Sequence, residues 1–325
     1  MPRDLRDRVT GVHPAARSWF DRRTSASGDW PVPELIERKG ATTVSVVLPA
    51  LDEEPTVGGI VEGVRRLAEE TGLVDEIVVV DSGSTDRTAE VAAAAGAAVH
   101  HRDDVLPRLG SYPGKGEVLW KALHVTLGDL VVYVDADLTG FGPHYVTGLL
   151  GPLLHDPGVL LTKAFYDRPL LDVSAAGGGR VTELMARPLF QAHFPELAGV
   201  VQPLAGEYAA RRSLLETLPF APGYGVETGL LLDTVAAHGL DAVAQVDLGH
   251  RTHGHQDTEA LGRMAATILR TVLARVDPER TPWPELTQFR RDTDGAVVPH
   301  DTTVAVPERP PMLTVPEYRA ARVSG

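Results

Sequence analysis

The chain contains no cysteine. That excludes a disulfide framework, a thiolate metal site and a thiol nucleophile. No apolar run approaches the roughly 18 residues that a membrane span needs. Residues 1–8 alternate charges and lack an apolar core, so no secretory signal is read there and the cytoplasm is the expected location. Positive charge is in short supply: 31 Lys and Arg stand against 44 Asp and Glu, a net charge of −13. General binding to nucleic acid or to an anionic membrane is therefore not expected. Any anionic substrate must be met by a local basic cluster working against that field. Glycine-rich phosphate loops are missing as well. Where a dinucleotide fold carries Gly-x-Gly-x-x-Gly, this chain has Pro49-Ala50-Leu51-Asp52-Glu53-Glu54, and no Gly-x-x-x-x-Gly-Lys-Ser/Thr occurs. No internal repeat is seen.

What is present is an ordinary globular composition, 43% hydrophobic and 23% charged over 325 residues, enough for one large α/β domain or two small ones. Residues 1–40 read as an irregular or partly helical N-terminal arm anchored by Trp19, Phe20 and Trp30. Residues 44–48 form a buried strand that should stop at Pro49, since proline cannot donate to a central ladder. Val57, Ile60, Val61, Val64, Leu67 and Ala68 mark one helical face. Further strands are expected at 77–80, 97–100 and 131–134, with helices at 87–95 and 115–127 between them. This alternation predicts an α/β fold with a mostly parallel sheet covered on both faces, binding its ligands beyond the carboxyl ends of the strands. Three acidic loops fall there, at 52–54, 81–86 and 135–137. Beyond them the reading is a strand at 159–166, a helix from Arg180 that Pro188 interrupts, a tight turn at 202–208, a helix at 227–238, a strand at 245–250 and a helix at 258–276. The expected division is arm 1–40, one half at 41–140, a second at 141–277 and a proline-rich tail at 278–325.

The densest chemical signal is Val131-Val132-Tyr133-Val134-Asp135-Ala136-Asp137, a β-favouring run into two aspartates spaced i, i+2. Side chains two apart on an extended segment point the same way, so both carboxylates would face one site. Hard divalent cations take carboxylate oxygens and keep a phosphate as another ligand, which makes this a clamp for a metal diphosphate. The alternative is a loop ending in two solvated acids. Residues 81–86 hold good helix caps, and Thr85 or Asp86 can cap while Asp81 binds a ligand. Lys115, between two glycines at a helix start, suits a diphosphate or is simply solvated. Gly179, Arg180 and Thr182 begin a helix after a glycine run. Close backbone approach and a bidentate guanidinium suit a carboxylate or phosphate there; a plain hinge is the alternative. Glu227 either hydrogen-bonds sugar hydroxyls or is a first-turn acid favoured by the helix dipole.

Several stretches in order resemble the glucosyl-3-phosphoglycerate synthases, which are retaining, metal-dependent sugar-nucleotide glycosyltransferases of the GT-A fold. They are Leu48-Pro49-Ala50-Leu51-x-Glu53-Glu54, Asp81-Ser82-Gly83-Ser84-Thr85-Asp86, Pro113-Gly114-Lys115-Gly116-Glu117 and Asp135-x-Asp137-Leu138. Further along come Gly177-Gly178-Gly179-Arg180-Val181-Thr182-Glu183-Leu184, Gln202-Pro203-Leu204-x-Gly206-Glu207-Tyr208, residues 219–227 and Arg251-x-His253. The resemblance spans roughly residues 40–275. Asp52 and His255 stand where the family usually has Asn.

The resemblance implies a GT-A, Rossmann-like sheet with a smaller, mixed acceptor-binding half. It implies transfer of glucose from UDP-glucose to the 2-hydroxyl of 3-phosphoglycerate, with Mg²⁺ or Mn²⁺, by a homodimer. Asp135, Asp137 and the imidazole of His253 would hold the metal. Pro49, Ala50, Leu51, Glu53, Asp81 and Ser82 would contact the nucleoside. Lys115, Asp135, Ala136, Tyr224, Glu227 and Arg251 would meet the rest of the donor. Gly179, Arg180, Val181, Thr182 and His255 would take the acceptor. The implied catalytic groups are Asp137, Lys115, Glu227 and the carbonyl of Leu204, with same-face attack and cations stabilising the departing diphosphate. Rival readings are mannosyl transfer from GDP-mannose, transfer to another small acid, a lipid-phosphate sugar transferase, and a sugar-nucleotide binding protein without turnover.

Overall fold

A computed structural model describes residues 13–167, 179–251, 257–279, 283–304 and 307–323. The chain begins with helix α1 (Pro14–Arg23), strand β1 (Thr24–Ala26) and helix α2 (Val32–Lys39). There follow β2 (Val44–Ala50), α3 (Val57–Thr71), β3 (Glu76–Asp81), α4 (Thr88–Ala95), β4 (Ala98–His101), α5 (Lys115–Val125) and β5 (Leu130–Tyr133). The second half contributes α6 (His144–His155), β6 (Leu161–Asp167), α7 (Arg187–His193), β7 (Tyr208–Arg211), α8 (Arg212–Leu215), α9 (Val226–His238), β8 (Val243–His250) and α10 (Thr258–Val276). Last come β9 (Glu285–Arg291), β10 (Val297–Thr303) and α11 (Pro316–Val323).

One eight-stranded sheet runs in the order β1-β8-β6-β7-β5-β2-β3-β4, and every neighbour pair is parallel except those of β7. The mostly parallel α/β expectation therefore holds. The chain lays β3 and β4 on one side of β2, then returns to place β5 on the other. Strand order reverses between β2 and β5, which opens a crevice at their carboxyl ends. Alternation along β5 explains why the run had to be apolar on both sides. Val131 and Tyr133 enter one core with Leu119, Leu123 and Leu231, whereas Leu130, Val132 and Val134 enter the other with Ile60, Val61 and Leu149.

Four expectations change. Strand β2 does not stop at Pro49 but continues to Ala50, paired with β3. The Val47 carbonyl accepts from Val134 on the β5 side, so Pro49, two residues on, faces that same side after the β5 ladder has ended. No hydrogen bond is lost. Pro188 does not interrupt its helix either. A π turn at Thr182–Ala186 precedes it, with the Arg187 amide bonding to the Thr182 carbonyl, and the proline falls in the first turn of α7. The arm does more than anchor: besides burying Trp19, it adds β1 to the edge of the sheet beside β8. The turn at 202–208 leads into β7, the antiparallel strand that joins the two halves of the sheet.

The segment read as the end of a proline-rich tail is built into the body. Met312, Val315 and Tyr318 are buried in the core beside Trp120 and Leu123, and the Trp120 indole donates to the Pro310 carbonyl at 2.8 Å. The prolines supply stiffness without helix, and the few apolar residues between them are the packing contacts. Among the described residues, no helix is long and apolar enough to cross a membrane.

Met312 is fully buried. Met312→Ala should cost about 2–5 kcal/mol by emptying that position, seen as a lowered denaturation midpoint with an unchanged slope. A loose tail would leave the midpoint where it was.

Candidate active site

The loops after β2 and β3 are locked to each other by their own acids. Asp52 takes a left-handed backbone, φ 56°, which Asn and Asp tolerate best. Its carboxylate accepts from the Thr85 amide at 2.7 Å, while its own amide donates to Ser84 Oγ at 2.9 Å. Glu54 pairs with Arg87. The buried Asp81 carboxylate accepts from the Gly83 and Ser84 amides at 3.2 Å. Pro49, Ala50, Leu51, Glu53 and Ser82 are thereby left facing a cavity of about 580 Å³, whereas the buried Asp81 and the exposed Asp52 do not line it. That volume lies within the range of small-molecule sites. Burial, and next the nearby Asp137 carboxylate, raise the pKa of Glu53 above the usual range.

Beyond β5, Asp135 lies between two cations. Lys115, at the first position of α5, donates to one oxygen of Asp135, and Arg251 Nη2 lies 3.3 Å from the other. The same Nη2 meets Asp137 Oδ1 at 2.9 Å. Lys115 Nζ also reaches Glu227 Oε1 at 2.9 Å and the Gly206 carbonyl at 3.3 Å. Behind them, Arg251 Nη1 contacts Glu207 Oε1 at 2.9 Å and donates to the Tyr166 hydroxyl at 2.7 Å; that hydroxyl in turn donates to Glu207 Oε2 at 2.8 Å. Burial by itself would discharge these groups. Lys115 and Arg251 overcome it and hold the Asp135 carboxyl well below its ordinary pKa; Asp135 and Glu227 hold the Lys115 ammonium above its own. Gly206 is required by this crowding, because a Cβ there would come within 2.3 Å of Asp135 Oδ2.

Lys163 stands one strand away. Its ammonium donates to the Ala205 carbonyl at 2.6 Å and lies 5.0 Å from the centre of the Tyr208 ring. Burial pushes its pKa down to about 8.

The opposite wall comes from the start of the helix leading to α7, where Gly179, Arg180, Val181 and Thr182 line the cavity with Arg180 exposed. Leu204 and Tyr224 complete that side. Seventeen of the expected site residues thus face one cavity: Pro49, Ala50, Leu51, Glu53, Ser82, Lys115, Asp135, Ala136, Asp137, Gly179, Arg180, Val181, Thr182, Leu204, Tyr224, Glu227 and Arg251. Asp81 does not, because its oxygens are turned onto its own loop. His253 and His255 lie outside the described residues.

Reading the sequence missed several groups. Glu207, Tyr166 and Lys163 form the inner support, and Arg102, Pro113, Gly206, Leu261, Met264 and Ile268 line the cavity. A lysine in the middle of the apolar strand Leu161-Thr162-Lys163-Ala164-Phe165 was the available signal for Lys163. Leu261, Met264 and Ile268 share one face of α10, which reads equally well as ordinary core.

The Asp135 and Asp137 carboxylates both meet Arg251 Nη2, at 3.3 and 2.9 Å, and two hard oxygen donors on one strand end are of the type that Mg²⁺ or Mn²⁺ takes. Among the described residues no cluster of three or more His, Asp or Glu side chains forms a metal site, so a third protein ligand would have to come from elsewhere.

The Glycosyl transferase family 2 model matches residues 45–196. The glucosyl-3-phosphoglycerate synthase of Mycolicibacterium paratuberculosis is 48% identical over 307 residues, 92% of either chain. Among solved structures, the glucosyl-3-phosphoglycerate synthase of Mycobacterium tuberculosis in complex with Mn²⁺, UDP and phosphoglyceric acid matches with a TM-score of 0.80 and 47% identity, over 88% of this chain and 95% of that one. The same enzyme with Mg²⁺ and UDP matches at TM-score 0.82 and 46% identity, over 90% and 98%. The mannosyl-3-phosphoglycerate synthase of Rubrobacter xylanophilus matches at 0.86 and 42%, over 92% and 99%. Identity of this extent over nine-tenths of the chain shows that it belongs to the glucosyl-3-phosphoglycerate synthase family.

Proposed function

We propose that this chain transfers glucose from UDP-glucose to the 2-hydroxyl of 3-phosphoglycerate with retention of configuration, and that it does so in the cytoplasm as a homodimer. The observation that carries the reading is the convergence of Lys115, Asp135, Asp137, Glu227 and Arg251 in one cavity. Residues 41–140 supply the donor half and 141–277 the acceptor half. The mannosyl relative shares the scaffold, so a matrix of UDP- and GDP-sugars against small phosphorylated acids is the direct assay. The exposed Trp283, Phe289 and Val297 around the β9–β10 hairpin are the apolar surface available for a partner subunit.

The nucleoside would lie against Pro49, Ala50, Leu51 and Ser82, with its diphosphate toward Asp135 and Asp137. These two carboxylates, with His253, would hold Mg²⁺ or Mn²⁺, which when bound screens the diphosphate as a Lewis acid. The protein's own part is positional and electrostatic. Lys115, already charged by its two carboxylate partners, adds positive potential without any change of protonation. Glu227 holds sugar hydroxyls from the buried side. The Leu204 carbonyl faces the anomeric carbon, and Arg180 and Thr182 seat the acceptor's phosphate and carboxylate. The acceptor oxygen enters on the face from which the diphosphate leaves, and that phosphate takes its proton.

Asp137→Ala and His253→Ala should each weaken Mn²⁺ binding in calorimetry and remove most turnover while leaving the melting curve in place. Parent-like turnover of both variants in the presence of chelator would remove the metal from these residues. Arg180→Ala should raise the KM for 3-phosphoglycerate by ~10- to 150-fold, the worth of a charge-assisted hydrogen bond, with the UDP-glucose KM nearly unchanged. Equal shifts for the two substrates would place Arg180 outside the acceptor pocket. The first product formed should carry an α-linked glucose, read from the anomeric proton coupling by NMR. A β-linked product would make Glu227 the first candidate for a general base.

A further inference from the structure

Arg309 lies far from the cavity in sequence and does not line it. It nevertheless touches the two segments that carry Lys115 and Glu227. Through its backbone, Arg309 makes an isolated antiparallel bridge to Phe220, with each amide donating to the other's carbonyl at 2.9 Å. Phe220 is buried and leads directly into residues 221–227, which end in Tyr224 and Glu227. Through its side chain, Arg309 reaches the other segment. Nε and Nη2 donate to the two oxygens of Glu117 at 2.6 and 2.8 Å, a bidentate pair in the first turn of α5, whose first residue is Lys115. Nη1 and Nη2 also donate to the Leu109 and Gly110 carbonyls, at 3.2 and 3.1 Å, in the loop that delivers α5. The guanidinium is sandwiched by Tyr112 and Trp120, 4.1 and 5.0 Å from the ring centres.

The two segments meet backbone to backbone. A Cβ on Gly116 would lie 2.1 Å from the Ala221 carbonyl, and one on Gly114, which has φ +96°, would lie 2.7 Å from Gly223 Cα. Nothing can slide between them, and the 2.9 Å contact between Lys115 and Glu227 exists only while they stay in register. Glu117 is fully buried, so its charge needs permanent partners; Lys121 Nζ lies 3.5 Å from Oε1, and the planar fork of Arg309 supplies the bidentate partner, in a single orientation.

We propose that Arg309 is a positioning residue for the donor: it clamps the start of α5 to the segment before α9 and so sets the Lys115–Glu227 contact across the cavity. The inference rests on the donor role assigned above to Lys115 and Glu227. It also gives the C-terminal segment a part in the reaction beyond packing.

The test is steady-state kinetics on the full chain. Arg309→Gln should lower kcat/KM for UDP-glucose by ~10- to 100-fold, the scale of an ångström-sized misplacement, and should leave the KM for 3-phosphoglycerate within about twofold. Arg309→Lys, which keeps the charge but loses the fork, should fall between Arg309→Gln and the parent, and it carries the comparison should Arg309→Gln fail to fold. Glu117→Gln should match Arg309→Gln, and the double variant should be no worse than either. Met312→Ala, in the same segment, should lose stability without any change in the donor KM. The clamp is overturned if Arg309→Gln or Arg309→Lys tracks Met312→Ala, or if the KM values of both substrates rise together. Absence of any glucosyl product from the parent chain would instead defeat the functional reading. In that event the same variants are compared with whichever nucleotide sugar the parent turns over, and the clamp stands or falls on that donor's KM.

Discussion

The site must keep charges of both signs out of water at once. Lys115, Arg251 and Lys163 are all buried or nearly so, and each uncompensated buried ion costs several kcal/mol. What differs among them is the partner. Lys115 meets Asp135 and Glu227, and its pKa rises; Lys163 meets a carbonyl and a ring face, and its pKa falls to about 8. The same burial therefore yields a locked cation in one place and a poised one in the other. Asp135 is the pivot, because among the described side chains it alone pairs with both Lys115 and Arg251. Losing it would take one carboxylate from each of these two cations, leaving Lys115 with Glu227 and Arg251 with Asp137 and Glu207, whereas losing an exposed pair such as Arg66 with Glu62 would matter little.

This arrangement explains several otherwise unrelated features of the chain. Gly206 is small because Asp135 and Lys115 occupy the space of its side chain. Tyr166 stands on β6 because Arg251 and Glu207 both need its hydroxyl. The antiparallel β7 is short because its task is to bring Glu207 and Tyr208 between β5 and β6, where the charges meet. A net charge of −13 is compatible with an anionic substrate because Lys115, Arg180 and Arg251 line the same cavity.

The support of the site is also less local than its lining. Glu227 and Lys115 are held by elements that the C-terminal segment ties together, and the arm before β2 closes the far edge of the sheet. A fold built this way lines one part of the cavity with strand ends and the start of α5, and another part with a helix entrance that runs into a π turn.

Much of this is legible in the order of the residues alone. The apolar runs at β2, β3 and β5, the helix at 258–276, the Asp135–Asp137 pair and Lys115 at a helix start all follow from local periodicity and local chemistry, which neighbouring residues carry with them. The sequence could not say which distant groups would meet. Pro49 reads as a strand breaker until the end of the β5 ladder is known, and Asp81 reads as a ligand until its own loop is seen to take both oxygens. Arg251 could be placed near a phosphate, but its hold on Glu207, Tyr166 and both aspartates depends on four strands, β8, β6, β7 and β5, lying side by side. Arg309 looked like part of a tail, since the Glu117 that needs it lies 192 residues away. Local pattern determined the elements and the chemistry they carry. Only the folded sheet decided the pairing of the buried charges, because the energy of a charge out of water is set by what lies within a few ångströms, whatever its distance along the chain.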